Sequence, residues 1–278
     1  MEWLAEVKRR FGIDVATEVA TPEHVEAALK AGIDYLWIGA RSSATPIVVQ
    51  SLADAILDGK LKIGDLEGIF IKNPVNADAG LWLGNIERLE KTGVPVMAVH
   101  RGCGHQPCWS MAHQVRLARP DIPMLLDPSH MSGDAALVPG LMSKVKELGL
   151  DGAMIEVHCD PEAALSDTKQ QVKPSAISPQ LSERLNADSS KLNAIELNWL
   201  RAEIDELDNR LWDTISQRMD VSRRIGEWKK AHGVAPLQPE RYQQIVERLR
   251  GTGYGLPEEF MLHIWELIHE ESLKQQIE

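Results

Sequence analysis

The segment from Leu192 to His232 constrains the fold of this chain more than any other. It contains no proline and a single glycine, Gly226, and its apolar residues recur at three- and four-residue steps, which predicts one long amphipathic helix. About 40 residues at about 1.5 Å each give a helix about 60 Å long, longer than a small domain is wide. Such a helix must pack against another helix, from its own chain or from a second copy. The stripe consists of Leu200, Ile204, Leu207, Leu211 and Ile225.

Two cations interrupt this stripe. Arg218 and Lys229 stand where further apolar residues are expected, and their directions around the helix differ by only about 20°. A charge on an apolar seam is costly unless an anion pairs with it, although both side chains could instead reach out to water. Arg201 lies about 100° away from Arg218, so it is expected to serve a different site. An antiparallel dimer would reconcile these two directions.

The C-terminal third resembles the helical chorismate mutase family. The motifs LRAEIDELDNRL, SQRM, IGEWKK, PERY and HEESLKQQ occur in the family's order and spacing, and the similarity covers residues 191–278. The resemblance implies a homodimer of intertwined three-helix chains that converts chorismate to prephenate without a cofactor. It implies that Arg201 is supplied by the partner chain. The residues supplied in cis would be Arg218, Lys229, Arg241, Ser272 and Gln276.

Two positions depart from the best-known single-domain members of that family. Gln238 and Tyr242 stand where those proteins have an aspartate and a glutamate near the substrate hydroxyl. The sequence therefore leaves open which residues contact the substrate hydroxyl. The residues that bind the substrate carboxylates are not affected. Further helices are expected from Pro239 to Gly251 and from about Pro257 to Ile277.

Composition excludes several classes of protein. The net charge of −11 argues against a nucleic-acid surface, which needs clustered excess cation. Three cysteines, an odd number, favour a reducing compartment over a disulfide framework. No apolar run reaches membrane-spanning length and the first residues carry no signal-peptide pattern, so we expect a cytoplasmic protein without a membrane partner.

Residues 1–172 predict an α/β fold. Short apolar runs that read as buried parallel strands alternate with helical patterns, such as the segment that Thr21 caps and Gly32 ends. Six such units indicate either an open doubly wound sheet or part of an eight-stranded barrel. Residues 173–190 are rich in serine and proline and are predicted to link this domain to the helical domain at 191–278. The runs lie at 15–20, 35–40, 68–75, 96–102, 124–130 and 153–158.

Polar side chains follow each of the six predicted strands. In barrels this end carries the chemistry, although any one of these residues could simply cap a helix or pair with a neighbour. Two of them, His130 and Glu156, together with Asp167 in a following loop, form a plausible set of ligands for a divalent metal, one imidazole and two carboxylates. The residues at the strand ends are Glu18, Arg41, Lys72, Arg101, Asp127, His130, Glu156 and His158.

The motifs TEVA, IGARSS, IKNPV, HRG, DPSHMSG and IEVHCDPEAALSD resemble the type I 3-deoxy-D-arabino-heptulosonate 7-phosphate (DAHP) synthase family, in the form fused to a chorismate mutase. The resemblance implies an incomplete (β/α)₈ barrel of six βα units followed by a three-helix mutase domain. It implies that phosphoenolpyruvate, which this family joins to erythrose 4-phosphate, lies among Arg41, Lys72, Arg101 and Asp127. It also implies Mn²⁺ or a similar divalent ion on His130, Glu156 and Asp167.

The synthase half departs from that family in what it lacks. The family's first two βα units, with a metal-binding cysteine and a Lys-Pro-Arg loop for erythrose phosphate, have no counterpart here. Cys103 or Cys108 could stand in as the metal ligand. The chain is therefore expected to be either a fragment of a fully active bifunctional enzyme or an enzyme whose synthase half is degenerate and inactive.

A non-catalytic module, in which the long helix serves only dimerisation, is the competing hypothesis. A seam built for dimerisation alone tolerates about one polar residue. Arg218 and Lys229, together with inward-facing Ser272 and Gln276, exceed that number and favour an enzyme of the shikimate pathway.

Overall fold

The computed structural model describes residues 1–57, 66–177, 192–251 and 254–277. Within these residues the chain forms two compact units, Met1–Glu206 and Leu207–Glu278. The predicted linker at 173–190 lies largely outside the described residues, and the predicted domain boundaries stay a prediction. In the described part of the chain, no helix combines the length and the apolar character that crossing a membrane requires.

The first unit is built on one sheet of six parallel strands. The strands are β1 Ala16–Glu18, β2 Tyr35–Ile38, β3 Gly68–Lys72, β4 Val96–His100, β5 Met124–Leu126 and β6 Gly152–Ala153. Each strand pairs with the next one in sequence, in the order β1-β2-β3-β4-β5-β6. A doubly wound sheet reverses its strand order at a switch point, whereas a barrel adds strands in sequence. The order therefore selects the partial (β/α)₈ barrel over the doubly wound alternative.

Helices connect these strands. They are α1 Glu2–Phe11, α2 Pro22–Lys30, α3 Ala40–Ser43, α4 Pro46–Leu57, α5 Ala79–Glu90, α6 Trp109–Ala118, α7 Pro128–Ser132 and α8 Val138–Glu147. Helix α2 begins as predicted, with the Thr21 side chain accepting a hydrogen bond from the His24 amide and proline in the first turn. Strand β6 covers two residues and so is shorter than the run predicted at 153–158.

The core of this unit lies between the sheet and its helices. Most of its largest fully buried side chains come from the strands and from α4 and α5, and each contributes about 1.5–3 kcal/mol on burial. This packing fixes the carboxyl ends of the strands, where the predicted site residues begin. The buried set includes Leu36, Ile38, Leu52, Ile69, Ile71, Trp82, Ile86, Leu89 and Met124.

Three helices form the C-terminal region, with the bounds expected from the sequence. They are α9 Leu192–His232, α10 Pro239–Gly251 and α11 Glu258–Ile277. The division between the two compact units falls inside α9, after Glu206. Much of the apolar stripe of α9 is open to solvent in the single chain, with Leu207 59%, Leu211 51% and Ile225 43% exposed.

Candidate functional site

Helices α9 and α11 bring four of the predicted mutase residues together in two pairs. The guanidinium of Arg218 donates to the Ser272 hydroxyl, and its Nη1 also lies 3.3 Å from the Ile268 carbonyl oxygen. The Lys229 ammonium donates to Gln276 Oε1 at 2.9 Å and to the Pro236 carbonyl at 2.5 Å. Arg218 and Lys229 are about 16 Å apart along α9, whereas Ser272 and Gln276 are only about 6 Å apart along α11, so the two long cationic side chains converge on one short stretch of α11.

Gly226 explains how the two helices approach so closely between these pairs. A Cβ atom at position 226 would lie 2.6 Å from both the Cα and the carbonyl oxygen of Gln276. Real Cβ atoms do not tolerate such contacts with backbone, so only glycine fits. Its isolation as the single glycine in a 41-residue helix is the sequence signal that marks this contact.

Among the described residues, no carboxylate pairs with either cation. The side chains of Arg218 and Lys229 are both half-buried. Burial lowers the pKa of Lys229, and it also lowers the pKa of Arg218. Two partly desolvated positive charges with hydrogen-bond donors form a site that favours an anionic ligand.

His269 belongs to the same face of α11, although sequence reasoning did not select it. It precedes Ser272 by three residues and Gln276 by seven, which places all three on one face. Its ring stacks on Trp265 with centroids 4.8 Å apart and lies 5.2 Å from the Tyr242 ring. Burial lowers the pKa of His269, as do the charges of Arg218 and Lys229, so the ring is neutral near pH 7.

The other two predicted mutase residues, Arg241 and Arg201, are exposed in the single chain. Arg241 is exposed in the first turn of α10, where its Nη1 lies 3.4 Å from Gln244 Oε1 of the same helix. Arg201 is exposed on the part of α9 that belongs to the first unit. Tyr242 packs its ring against Trp265 at 4.8 Å. Within one described chain, therefore, four of the six predicted residues meet.

At the carboxyl end of the sheet, a buried ion pair joins the end of β3 to the residue after β5, across β4. Lys72 Nζ lies 2.7 Å from Asp127 Oδ2, with side chains 5% and 1% exposed. The ammonium also lies over the Trp37 ring, 4.7 Å from its centroid. Burial alone would raise the pKa of Asp127, but the hydrogen bond from His130 and the charge of Lys72 hold it below its ordinary value.

The predicted metal ligands lie together beside this pair. One ligand atom from each of His130, Glu156 and Asp167 lies within 4.8 Å of the other two. His130 Nε2 is 3.3 Å from Glu156 Oε1, and His130 Nδ1 is 2.9 Å from Asp127 Oδ2. Because Asp127 holds Nδ1, the other ring nitrogen faces the carboxylates, as in metal sites with an orienting acid. This donor set fits a divalent ion that prefers nitrogen and oxygen ligands.

The two remaining cations of the barrel end differ in their surroundings. Arg101 is half-buried after β4, and its amide donates to Asn73 Oδ1 at 2.7 Å, which ties the loops after β3 and β4 together. Arg41 is exposed on α3. Cys103 and Cys108 lie half-buried in the loop after Arg101, and the candidate metal group does not include either thiol.

Comparisons with known proteins place the two parts of the chain in two families. Residues 1–192 match the family model described as DAHP synthetase I family, and residues 200–277 match the model described as chorismate mutase type II. The chain belongs to the DAHP synthetase I family and carries a chorismate mutase type II domain. The synthase model covers the barrel and ends where α9 begins, whereas the mutase model begins inside α9.

Relatives of this DAHP synthetase family chain match it in two separate parts. The mutase part is 39% identical over 75 residues to 4-amino-4-deoxychorismate mutase from Streptomyces venezuelae, which covers 26% of this chain and 73% of that protein. The barrel part is 26% identical over 209 residues to 2-dehydro-3-deoxyphosphooctonate aldolase from Helicobacter pylori, which covers 69% of this chain and 74% of that protein.

Solved structures show the same barrel fold. The DAHP synthase of Thermotoga maritima superposes with a TM-score of 0.56 at 22% identity, and the match covers 71% of this chain and 55% of that one. A truncated form of the same synthase gives a TM-score of 0.55 at 23% identity, covering 71% of each chain. The chain thus spans about half the length of the intact synthase. At 22% and 23% identity, the similarity to these structures shows a common fold and nothing about activity.

Proposed function

We propose that the α9–α11 site rearranges chorismate to prephenate. The observation that carries this proposal is the pairing of two half-buried, unneutralised cations with two neutral polar side chains along one helix contact: Arg218 with Ser272, and Lys229 with Gln276. A dicarboxylate ether presents the matching chemistry, two carboxylates at its ends and one ether oxygen between them. The chorismate mutase type II match of residues 200–277 supports the same conclusion.

The reaction needs neither a nucleophile nor a general base. It is a one-substrate pericyclic rearrangement, so the protein's task is to hold the reacting carbons together and to stabilise the negative charge that develops on the ether oxygen. Arg218 suits a carboxylate, which an arginine binds through two parallel hydrogen bonds. Lys229 and the Gln276 amide suit a single oxygen. In the proposed complex, the Lys229–Gln276 hydrogen bond gives way to bonds from both groups to that ether oxygen.

The proposal includes a second copy of the chain. The stripe on α9 exposes Leu207, Leu211 and Ile225 to solvent, although a helix of this length gains its stability from burying such a face. A second α9 covers it, and the partner's Arg201 binds the substrate's other carboxylate. Sedimentation at micromolar concentration is expected to give a dimer or a multiple of one. A folded monomer under those conditions would contradict the arrangement.

Lys229→Ala tests the site directly. Removing a preorganised donor to the ether oxygen is expected to lower mutase kcat/KM by about 10²-fold or more, with helix content unchanged. The matched control is Lys230→Ala, which removes an exposed lysine at the next position of the same helix. If Lys229→Ala and Lys230→Ala had the same small effect, the α9–α11 contact would not be the mutase site.

Two observations make 4-amino-4-deoxychorismate a second candidate substrate. The mutase part is similar to a 4-amino-4-deoxychorismate mutase, and Gln238 and Tyr242 stand where an acidic pair is expected near the chorismate hydroxyl. The carboxylate and ether contacts are common to both substrates, which differ at C4. Comparing kcat/KM for chorismate and for 4-amino-4-deoxychorismate decides between them, and we expect chorismate to be preferred because the site is already cationic.

For the barrel half, we propose binding of phosphoenolpyruvate and of a divalent ion such as Mn²⁺. Lys72 and Arg101 supply cations for the phosphate and carboxylate groups, and His130, Glu156 and Asp167 hold the ion. A bound divalent ion would act as a Lewis acid toward a carbonyl oxygen. Calorimetric titration with Mn²⁺ is expected to show one site, which Glu156→Gln weakens. Unchanged binding in that variant would place the ion elsewhere.

A further inference from the structure

The first turns of α9 are packed into the barrel unit. Trp199 is only 2% exposed, and its ring stacks on His113 of α6 with centroids 5.4 Å apart and an interplanar angle of 7°. The edge of Trp109, also on α6, meets the same indole at 6.2 Å. Ala202, one turn further along α9, is 2% exposed as well. This part of the helix is therefore held by a buried aromatic contact rather than by helix propensity alone.

Polar contacts hold the same segment on both sides of position 201. Glu203 accepts a hydrogen bond from the His113 ring, which is itself buried. Asn198 Nδ2 donates to the Glu147 carbonyl at the end of α8, at 3.1 Å. The Ser110 amide, in the first turn of α6, lies 3.4 Å from Glu206 Oε2. The segment from 198 to 206 thus has its rotation and its position along α6 fixed by directional bonds as well as by packing.

Near the start of α9, the Ile195 side chain packs against Gly149. Gly149 has a φ of +62°, and a Cβ atom there would lie 2.9 Å from Ile195 Cδ1. Free helix ends fray because their first amides lack partners within the helix. Packing of the first turn against Gly149 opposes fraying, so it helps to hold position 201 in place relative to the barrel.

Arg201 lies on the opposite side of this docked segment. Trp199, Ala202, Glu203 and Glu206 follow the spacing i, i+3, i+4 and i+7, which defines the face toward α6. Position 201 is two residues, or about 200°, from Trp199. Consistently, Arg201 is exposed. The barrel contact therefore sets the direction in which the arginine leaves the helix, without covering it.

We propose that the barrel positions Arg201 for the mutase site of a second chain, and that His113 is the barrel's positioning residue. This inference rests on the proposed mutase function and on the role of Arg201 in it. An active site that borrows one arginine from another chain needs that arginine held within fractions of an ångström, and the α6 contact supplies such a hold. The barrel therefore contributes to the mutase reaction independently of any synthase chemistry.

A double-mutant cycle on the full chain tests this inference. Arg201→Ala is expected to lower mutase kcat/KM by about 10²-fold, because one carboxylate loses its clamp. His113→Leu, on α6 of the barrel unit, is expected to lower it by about tenfold, since a small misplacement of a binding group is costly. In the Arg201→Ala background, His113→Leu should have no further effect. The matched control, His24→Leu on α2, should leave the rate unchanged.

Each other outcome has a definite meaning. If Arg201→Ala lowers the rate but His113→Leu does not, the barrel does not position the arginine. If His113→Leu costs as much without Arg201 as with it, its effect does not pass through Arg201, and the inference is overturned. If Arg201→Ala has no effect while Lys229→Ala does, the borrowed-arginine part of the proposed function is wrong and this inference falls with it.

A second variant guards against misfolding. Should His113→Leu fail to fold, Glu203→Ala removes the other partner of the same hydrogen bond, a half-buried residue of α9. This variant is then tested in the same double-mutant cycle with Arg201→Ala. Amide hydrogen exchange across 196–204 gives a readout that does not depend on activity. It is expected to be faster in either variant, and unchanged exchange would show that this contact does not hold the helix.

Discussion

Gly226→Ala is the sharpest test of the helix contact that forms the mutase site. The added Cβ would lie 2.6 Å from the Cα of Gln276, whereas ordinary contacts begin near 3.4 Å, so α9 and α11 must separate by about 0.8 Å. The atoms in the way are backbone and cannot rotate aside. Such overpacking costs about 1–3 kcal/mol, whereas alanine gains about 1 kcal/mol over glycine in a helix. The free energy of unfolding should therefore fall by no more than about 2 kcal/mol.

The effect on activity should be larger than the effect on stability. A displacement of this size stretches the 2.9 Å bond between Lys229 and Gln276 beyond hydrogen-bonding distance and moves both donors away from a common oxygen. A misplacement of about 1 Å can cost about 10²-fold in rate, so mutase kcat/KM should fall by that order. Steady-state kinetics and urea denaturation of the same preparation measure both quantities.

The matched control is Gly140→Ala on α8. A Cβ atom there meets no atom within 4 Å, and the position is exposed. The control should raise stability by up to about 1 kcal/mol and leave the mutase rate unchanged. If Gly226→Ala behaved like this control, the close approach of α9 and α11 would not be needed for activity, and the reasoning would be refuted.

Three further predictions concern charge and the barrel half. Burial lowers the pKa of Lys229, and donation to the ether oxygen requires the protonated form. Mutase kcat/KM should therefore decline as pH rises, with a midpoint below the ordinary lysine value of 10.5. A midpoint at or above that value would contradict the role of Lys229. Asp127→Asn leaves the buried Lys72 ammonium without its carboxylate, so the free energy of unfolding measured by urea denaturation should fall by about 3–5 kcal/mol. A loss below about 1 kcal/mol would show that the ion pair is not needed for stability. A polypeptide of these 278 residues, which contain no Lys-Pro-Arg loop, should not condense phosphoenolpyruvate with erythrose 4-phosphate at a useful rate even with Mn²⁺, since about 7–11 kcal/mol of catalysis depends on positioning both substrates. Synthase turnover comparable to the mutase rate would overturn this last prediction.

The sequence by itself determined the elements of this protein. The helices at 192–232 and 239–251 and the six apolar runs were predictable because periodicity, caps and breakers act over a few residues. The placement of Arg218 and Lys229 on one stripe followed from the same local geometry, as did the pairing of Ser272 with Gln276 at a four-residue step. The grouping of His130, Glu156 and Asp167 was anticipated through a family resemblance.

Only the tertiary structure decided how these elements are arranged. Strand order is a property of long-range pairing, so the runs alone left both a barrel and a doubly wound sheet open, and the sequential order of β1 to β6 settled it. The reason for Gly226 depends on Gln276, 50 residues later in the chain, and the position of His269 depends on its packing beside Tyr242 of α10. Likewise, periodicity marked Trp199 and Ala202 only as helical residues. Their burial against α6 places the start of the mutase helix within the barrel unit, because a helix face takes its partner from the packing of the whole chain.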